Sequence, residues 1–319
     1  MTMSDDVALI SADDGEESRS ARIGIGDYVH AILRDHITLV AMIFLLILLI
    51  FTLGAEFLAP YEPVGLNLRD RLLPPGTIGR NGDFYLFGTD ELGRDLFTRL
   101  IYGARVSVSV GVLGALLSSL VGVSAGLMAG YHGGWFEDIV MRLVDGMLSL
   151  PSLLIALFVL FILGGGFGNL VLVFLVLHWM VFARMARGLA LNARNATYVQ
   201  AARAQGCKSG RIIFRHILPN VMAPILVLFT LEIAVLILSE ASLSFLGFGV
   251  QPPDASWGLM IADGRAHIRS AWWLVLFPGL AIFLTALSLN LIAGWARAVT
   301  DPVQRWRWLA KRPKAGAKT

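Results

Sequence analysis

Thr197-Tyr-Val-Gln-Ala-Ala-Arg-Ala-Gln-Gly-Cys-Lys-Ser-Gly-Arg-Ile-Ile-Phe-Arg-His-Ile-Leu-Pro219 is a basic, moderately polar stretch set between long apolar blocks. From Arg184 to Pro219 there are seven Lys or Arg residues and no Asp or Glu. Thr197 and Gln200 stand in the T-x-x-Q spacing of a capping box, which predicts a helix beginning at Tyr198. Gly206 is placed to close that helix as a left-handed residue. A helix of two turns is too short to persist alone in water, so it needs a surface to dock on. Ser209 is predicted to cap a second helical stretch carrying Ile212, Ile213, His216 and Ile217, with Pro219 opening the next apolar block. Two readings stay open on these residues alone. The segment is either a basic loop that satisfies a charge bias across a membrane, or a docking element. Ala201, Ala202 and Ala204 favour docking, because small side chains suit a protein groove and hold lipid poorly.

The flanking blocks are membrane spans by length and composition. Of 319 residues 56% are hydrophobic and only 15% charged, with a mean hydropathy of +0.70. Soluble domains carry roughly a quarter charged residues, so the composition excludes an ordinary soluble domain. Ile37–Leu58 has the ~20 residues that cross a ~30 Å hydrocarbon core at ~1.5 Å per residue. Five further spans are predicted at Val106–Ala129, Leu148–Leu163, Asn169–Ala183, Val221 to about Ser239, and Trp272–Trp295. The chain therefore divides into an N-terminal tail (1–36, disordered in its first part), a first span (37–58) and a loop (59–105). A core of five spans (106–296) follows, containing the basic loop 184–219, and then a basic tail (297–319). The acidic start sets the first apolar run too far in for a cleaved signal peptide. Single Cys207 excludes an intramolecular disulfide, and the six histidines show no metal-ligand spacing, so no metal is expected.

With six spans both termini share a side. Placed inside, the N-terminus leaves 18 Lys and Arg on inner segments and eight on outer ones, so both termini are expected in the cytoplasm. In the outer loop, Thr89 or Asp90 is predicted to cap a short helix with Leu92, Leu96 and Leu100 on one face. Asp90–Arg94 and Asp95–Arg99 would be its i,i+4 pairs. A solvated helix on the outer surface is the favoured reading, a contact for an external partner the other. Between the last two spans, Gly247-Phe-Gly249 and Gln251-Pro-Pro-Asp254 predict an outer loop. Trp306 and Trp308 among basic residues suit the inner headgroups better than nucleic acid.

The second span carries two small-residue ridges: Gly103, Ser107, Gly111, Ala115 and Ser119, and Ser118, Gly122, Gly126 and Gly130. Such ridges let helix backbones meet closely in lipid and predict neighbours on two sides. Gly122-Val-Ser-Ala-Gly126 also fits a serine-hydrolase pattern with His178 as the only candidate base, but it lies inside an apolar helix instead of a strand-to-helix turn. Ionisable residues within spans are functional candidates by default. These are Glu232, Glu240 and His178, and the pair Arg142–Asp145 reads as an interfacial i,i+3 contact. Glu232 is a candidate polar contact near a pathway, facing either water or a neighbouring helix.

Gln200-Ala201-Ala202-x3-Gly206, with Leu218-Pro219 at the expected distance, resembles the coupling loop of binding-protein-dependent ABC transporter permeases. Gln200 stands where that family has Glu, and His216 where it has Ile. Phe87-Gly-Thr-Asp-Glu-Leu-Gly-Arg-Asp95 with Tyr102-Gly-Ala-Arg105 is similar to the C-type permease of dipeptide and oligopeptide importers. So is Glu240-Ala-Ser-Leu-Ser-Phe-Leu-Gly-Phe-Gly249 with Ala255-Ser-Trp-Gly-Leu259. The resemblance implies an all-α, six-span permease of the MetI-like fold in the bacterial inner membrane. It pairs with a second permease, two cytoplasmic ATPases and an extracytoplasmic substrate-binding protein, and its short loop helix enters a cleft on the ATPase. ATP and Mg would then sit on the ATPases, with no cofactor and no catalysis on this chain. Lys208-Ser209 follows Cys207 where a P-loop needs Gly. Dipeptides, oligopeptides and nickel chelates all fall within the implied cargo. An ion-gradient-driven carrier would need broken helices in two similar halves, a repeat this sequence does not display. An intramembrane hydrolase is the remaining alternative.

Overall fold

The structure is a computed structural model that describes Ile32 and residues 35–300. The readings for the acidic N-terminal tail and the basic C-terminal tail therefore lie outside the described residues. Helix α1 (His36–Leu53) starts at Asp35, whose carboxylate accepts from Ile37 N–H and from the Thr38 hydroxyl, and it stops at Gly54. A loop with a two-residue hairpin, β1 (Thr77–Ile78) against β2 (Phe84–Tyr85), leads to α2 (Leu96–His132). Next come α3 (Gly134–Leu148), α4 (Ser152–Leu163), α5 (Phe167–Ala193) and the short α6 (Thr197–Ala204). A turn at Ser209–Arg211 and a π-helical stretch at Ile212–Ile217 run without a break into α7 (Leu218–Phe245). Then α8 (Trp257–Gly264) precedes α9 (Trp273–Thr300).

Among the described residues, five helices are long and apolar enough to cross a membrane. A sixth crossing exists if α3 and α4, which meet at 88°, count as one bent span. The span predicted at Leu148–Leu163 is thus corrected. Pro151 offers no N–H to a helix arriving from α3, and α4, which begins after it, has only 12 residues, about 18 Å. The predicted surface helix in the outer loop is corrected as well. Asp95, and neither Thr89 nor Asp90, caps the helix, accepting from Thr98 N–H at 2.8 Å. From there α2 continues for 37 residues directly through the second predicted span, and Leu92 lies outside it. Asp90 instead closes a turn, accepting from the N–H groups of Leu92 and Arg94 at 2.9 Å each.

The bundle is built on the pairing of α2 with α5. A Cβ placed on Gly122, Gly126 or Gly130 would lie 2.1, 2.2 or 2.6 Å from the carbonyl oxygens of Trp179, Ala183 and Arg187. Both sets advance by four residues, so one ridge of α2 lies against the α5 backbone at three successive turns. Ser118 extends the ridge by donating to the Phe174 carbonyl at 3.1 Å. The second ridge turns to α7 and α8: Gly111 meets Ile237, and Gly103 meets Trp257 and Met260. The remaining spans, α1 and α9, bury the smallest share of their surface.

Overpacking against a neighbouring backbone cannot be relieved by a rotamer change. Gly126→Leu should cost upward of about 3 kcal/mol. Gly279→Leu, where a Cβ meets nothing within 4 Å, should be tolerated. Thermal unfolding of the two purified variants in one detergent checks this; equal midpoints would contradict the packing.

Candidate functional site

At one end of the bundle α6 is held by its own stop signal. Gly206 has φ +75°, its N–H reaches the Arg203 carbonyl at 2.9 Å, and Cys207 N–H reaches that of Ala202 at 3.1 Å. These two bonds form a Schellman closure, which requires a left-handed residue where Gly206 stands. The predicted start is corrected. Ala196 occupies the N-cap position with no side-chain acceptor, Thr197 is already the first helical residue, and the Gln200 side chain donates to Asn195 O at 3.0 Å. No capping box forms, because its Thr sits one position too late. Lys208 likewise takes the N-cap position assigned to Ser209.

One face of α6 is glued to the chain itself. Val199 (0% exposed) and Ala202 pack on Ile212, Ile213 and Ile217, and this cluster extends to Leu127 and Tyr131 of α2 and to Phe182 and Ala186 of α5. Ala202, expected on the docking face, is therefore an inward contact. At i, i+3 spacing Val199 and Ala202 share one stripe, which leaves Gln200, Ala201 and Ala204 outside it. Tyr198 (39%) and Phe214 (48%) are large apolar groups exposed on this end, among the exposed bases Lys208, Arg211 and Arg215. Arg203 bridges the two surfaces: its guanidinium lies 4.8 Å over the Tyr131 ring and its Nε donates to the Tyr131 hydroxyl at 3.1 Å.

The π-helical stretch has a local cause. Pro219 has no N–H for the Arg215 carbonyl, and Leu218 N–H reaches back five residues to Ile213 O. Leu218 is half-buried and Pro219 exposed where the regular α7 begins.

Within the bundle the ionisable candidates separate. Nδ1 of His178 on α5 lies 2.8 Å from Oε2 of Glu232 on α7, both largely buried. His178 is thus engaged by Glu232, and among the described residues no histidine bonds Ser124 of the G-x-S-x-G pattern, which instead forms the α5-facing ridge. Glu240 is completely buried, accepting from Ser244 Oγ at 2.6 Å and Ser107 Oγ at 2.8 Å, while Ser107 accepts from Trp257 N–H at 3.2 Å. By spacing Ser107 is a small ridge residue; its second role, as a donor to Glu240, depends on the α2–α7 register. The expected Arg142–Asp145 pair is also corrected, since Asp145 pairs with Arg184 of α5, while Glu137 of α3 pairs with Arg187. Both bonds tie α3 to α5.

At the opposite end Asp90 holds Arg94 at 2.6 Å and Arg99 at 3.3 Å, and Arg99 also faces Asp263 of α8 at 3.9 Å. Asp95 does not pair with Arg99 as expected, being occupied as the cap of α2. Burial raises the Asp263 carboxyl above its ordinary value against the pull of Arg99, and burial raises Asp95 against the N–H of Thr98. Glu91 lies 3.3 Å from His267, and Trp273 Nε1 donates to Thr89 O at 3.2 Å, so the loop is fastened to the turn after α8 and to α9.

A bundle of helices long and apolar enough to cross a membrane, with a two-turn helix packed on one end, defines an integral membrane protein. The chain belongs to the family described as binding-protein-dependent transport system inner membrane component, whose sequence profile matches residues 122–305. A second profile, the N-terminal membrane domain of oligopeptide transport permease C, matches residues 26–75. The chain is 37% identical over 284 residues to the glutathione transport system permease protein of Pectobacterium atrosepticum, covering 89% of this chain and 93% of that one. It is 41% identical over 262 residues to the di/tripeptide transport system permease protein of Pseudomonas aeruginosa (82% and 86% covered). With the dipeptide transport system permease protein of Bacillus subtilis it shares 39% over 273 residues (85% and 83%). It is accordingly an integral membrane permease subunit of a binding-protein-dependent ABC importer of the bacterial inner membrane.

Removing one partner of a buried polar pair costs more than removing both. Glu232→Leu alone should destabilise the bundle by about 1–3 kcal/mol, and adding His178→Leu should recover part of that loss. Unfolding midpoints of the two single variants and the double variant measure the coupling.

Proposed function

We propose that this chain is the C-type permease of an importer for dipeptides or oligopeptides, with both termini in the cytoplasm. Ala201 and its exposed neighbours on α6 form the element that an ATPase subunit grips. The observation that carries this reading is the division of α6 into two faces. Val199 and Ala202 are sealed into the chain's own core, while Tyr198, Gln200 and Ala201 stand exposed, as does Phe214. A two-turn helix persists here because one side is packed, and the other side is then held ready for a partner. The 18-to-eight distribution of Lys and Arg supports the cytoplasmic assignment of this end. The peptide cargo rests on what the relatives' names say they transport.

In this mechanism ATP and Mg are bound by two ATPase subunits, and the chain itself catalyses nothing. Closure of the ATPases displaces residues 198–206, and the cluster around Val199 and Ile213 passes the displacement to α2, α5 and α7. A second permease completes the path, and an external binding protein delivers the cargo. Glu232 is the polar contact near that path.

Gly206→Arg tests the coupling role. A side chain at φ +75° is strained, and the Schellman closure that fixes the end of α6 is lost. The variant is expected to insert and to co-purify with the second permease, while substrate-stimulated ATP hydrolysis by the reconstituted complex disappears. Undiminished stimulation would refute the docking role, and transport in vesicles lacking the ATPases would refute an ATP-driven importer.

A further inference from the structure

Short turns join α6 to α5, which stops at Ala193, and to the helical run that opens at Ser209. A push on α6 therefore reaches α5 and α7 along the chain. Helix α2 has no such short connection, since Tyr131 in its last turn lies 72 residues before Arg203. It is reached from α6 through contacts, and these are of two kinds. The apolar kind is the cluster that Val199 and Ala202 share with Leu127 and Tyr131. The directional kind is Arg203, whose guanidinium lies 4.8 Å over the Tyr131 ring while its Nε donates to the ring's hydroxyl at 3.1 Å. Among the described residues this is the one side-chain hydrogen bond between α6 and a spanning helix.

Tyr131 is itself firmly held. It is 8% exposed, and α2 ends just beyond it at Gly133, where φ is +71°. Its neighbour Gly130 lies against the Arg187 carbonyl, and the Gly130 carbonyl accepts from Nη1 of Arg194 at 3.2 Å. The last turn of α2 is thus fastened to the end of α5. A cation held over a ring face and bonded to that ring's hydroxyl is fixed in distance and in angle, which apolar contacts are not. We propose that Arg203 is a positioning residue that locks α6 to α2 through Tyr131, so that a displacement of α6 carries α2 and α5 together. The proposal rests on the reading of α6 as the element an ATPase grips. Arg203 acts within this chain, and its guanidinium is not the group that the ATPase holds. Without the lock, Val199 and Ala202 slide on Ile212, Ile213 and Ile217, and the push stops at the head of α7.

The test uses the assembled importer in vesicles, with its own binding protein loaded from a casein hydrolysate, and reads the stimulation of ATP hydrolysis. Arg203→Leu should cut that stimulation about tenfold, within the range usual for coupling between two sites. Tyr131→Leu should cut it as far, and the double variant no further, because both changes break one contact. Arg203→Lys keeps a cation over the ring and should restore part of the stimulation. If Arg203 met the ATPase directly, the two losses would multiply to about a hundredfold, and that outcome overturns the proposal. So does full stimulation in Arg203→Leu beside its loss in Gly206→Arg. Full stimulation in both of those variants, or none in the wild-type complex, removes the ATPase-docking reading itself, and this proposal falls with it. If Tyr131→Leu fails to insert, Tyr131→Phe takes its place, and combined with Arg203→Leu it should change nothing further.

Discussion

Apolar solvent gives a backbone nothing to bond with and gives two helices no hydrophobic reason to meet. The contact that answers both constraints is the seam between α2 and α5, where Gly122, Gly126 and Gly130 lie against successive carbonyls of α5. Everything else is hung on it. The opposite ridge of α2 receives α7 and α8 through Gly111 and Gly103. The bent pair α3 and α4 is pinned to α5 by Arg184–Asp145 and Arg187–Glu137. Because α2 has neighbours on two sides, its contacts join both halves of the bundle without crossing a loop.

The ends of the molecule are built on different chemistry. The α6 end is a hydrophobic cluster under a two-turn helix, finished by a single glycine closure. The hairpin end is ionic, with Asp90 shared by Arg94 and Arg99, and Asp263 of α8 facing Arg99. Apolar packing tolerates sliding better than paired charges do, since charged partners lose most of their attraction when they separate into water. A mechanism that moves one end by contact and keeps the other in register fits that division.

Five of the six predicted spans, the two ridges and the closing role of Gly206 could be read from residue type and spacing, because each depends on local periodicity or on one residue's conformational range. What could not be read depended on register or on a choice between equivalent caps. Thr197 carried the right capping pattern, but the helix begins one residue earlier, at a position where Ala196 offers no acceptor. Asp95 displaced Thr89 and Asp90 as the cap of α2, and this merged a predicted surface helix with a span. Ala202 looked like a docking residue by size and is a core residue by orientation, a distinction that needs the position of Ile213 and Tyr131. The break before α4 was written in Pro151, yet hydropathy alone smoothed over it. The partner of Asp145 was invisible for the same reason as that of Glu240: both lie on another helix.

The unbroken helix from Ser209 to Phe245 carries one further implication. It meets the α6 cluster through Ile213 and Ile217, His178 through Glu232, and Ser107 through Glu240. These contacts are phased by a repeat of ~3.6 residues per turn, so adding or deleting one residue between any two of them rotates the stations about 100° apart. Composition in this helix can drift while hydropathy is preserved, but its length between stations cannot. The segment behaves as a camshaft, whose timing is set by residue count and whose material is of secondary importance.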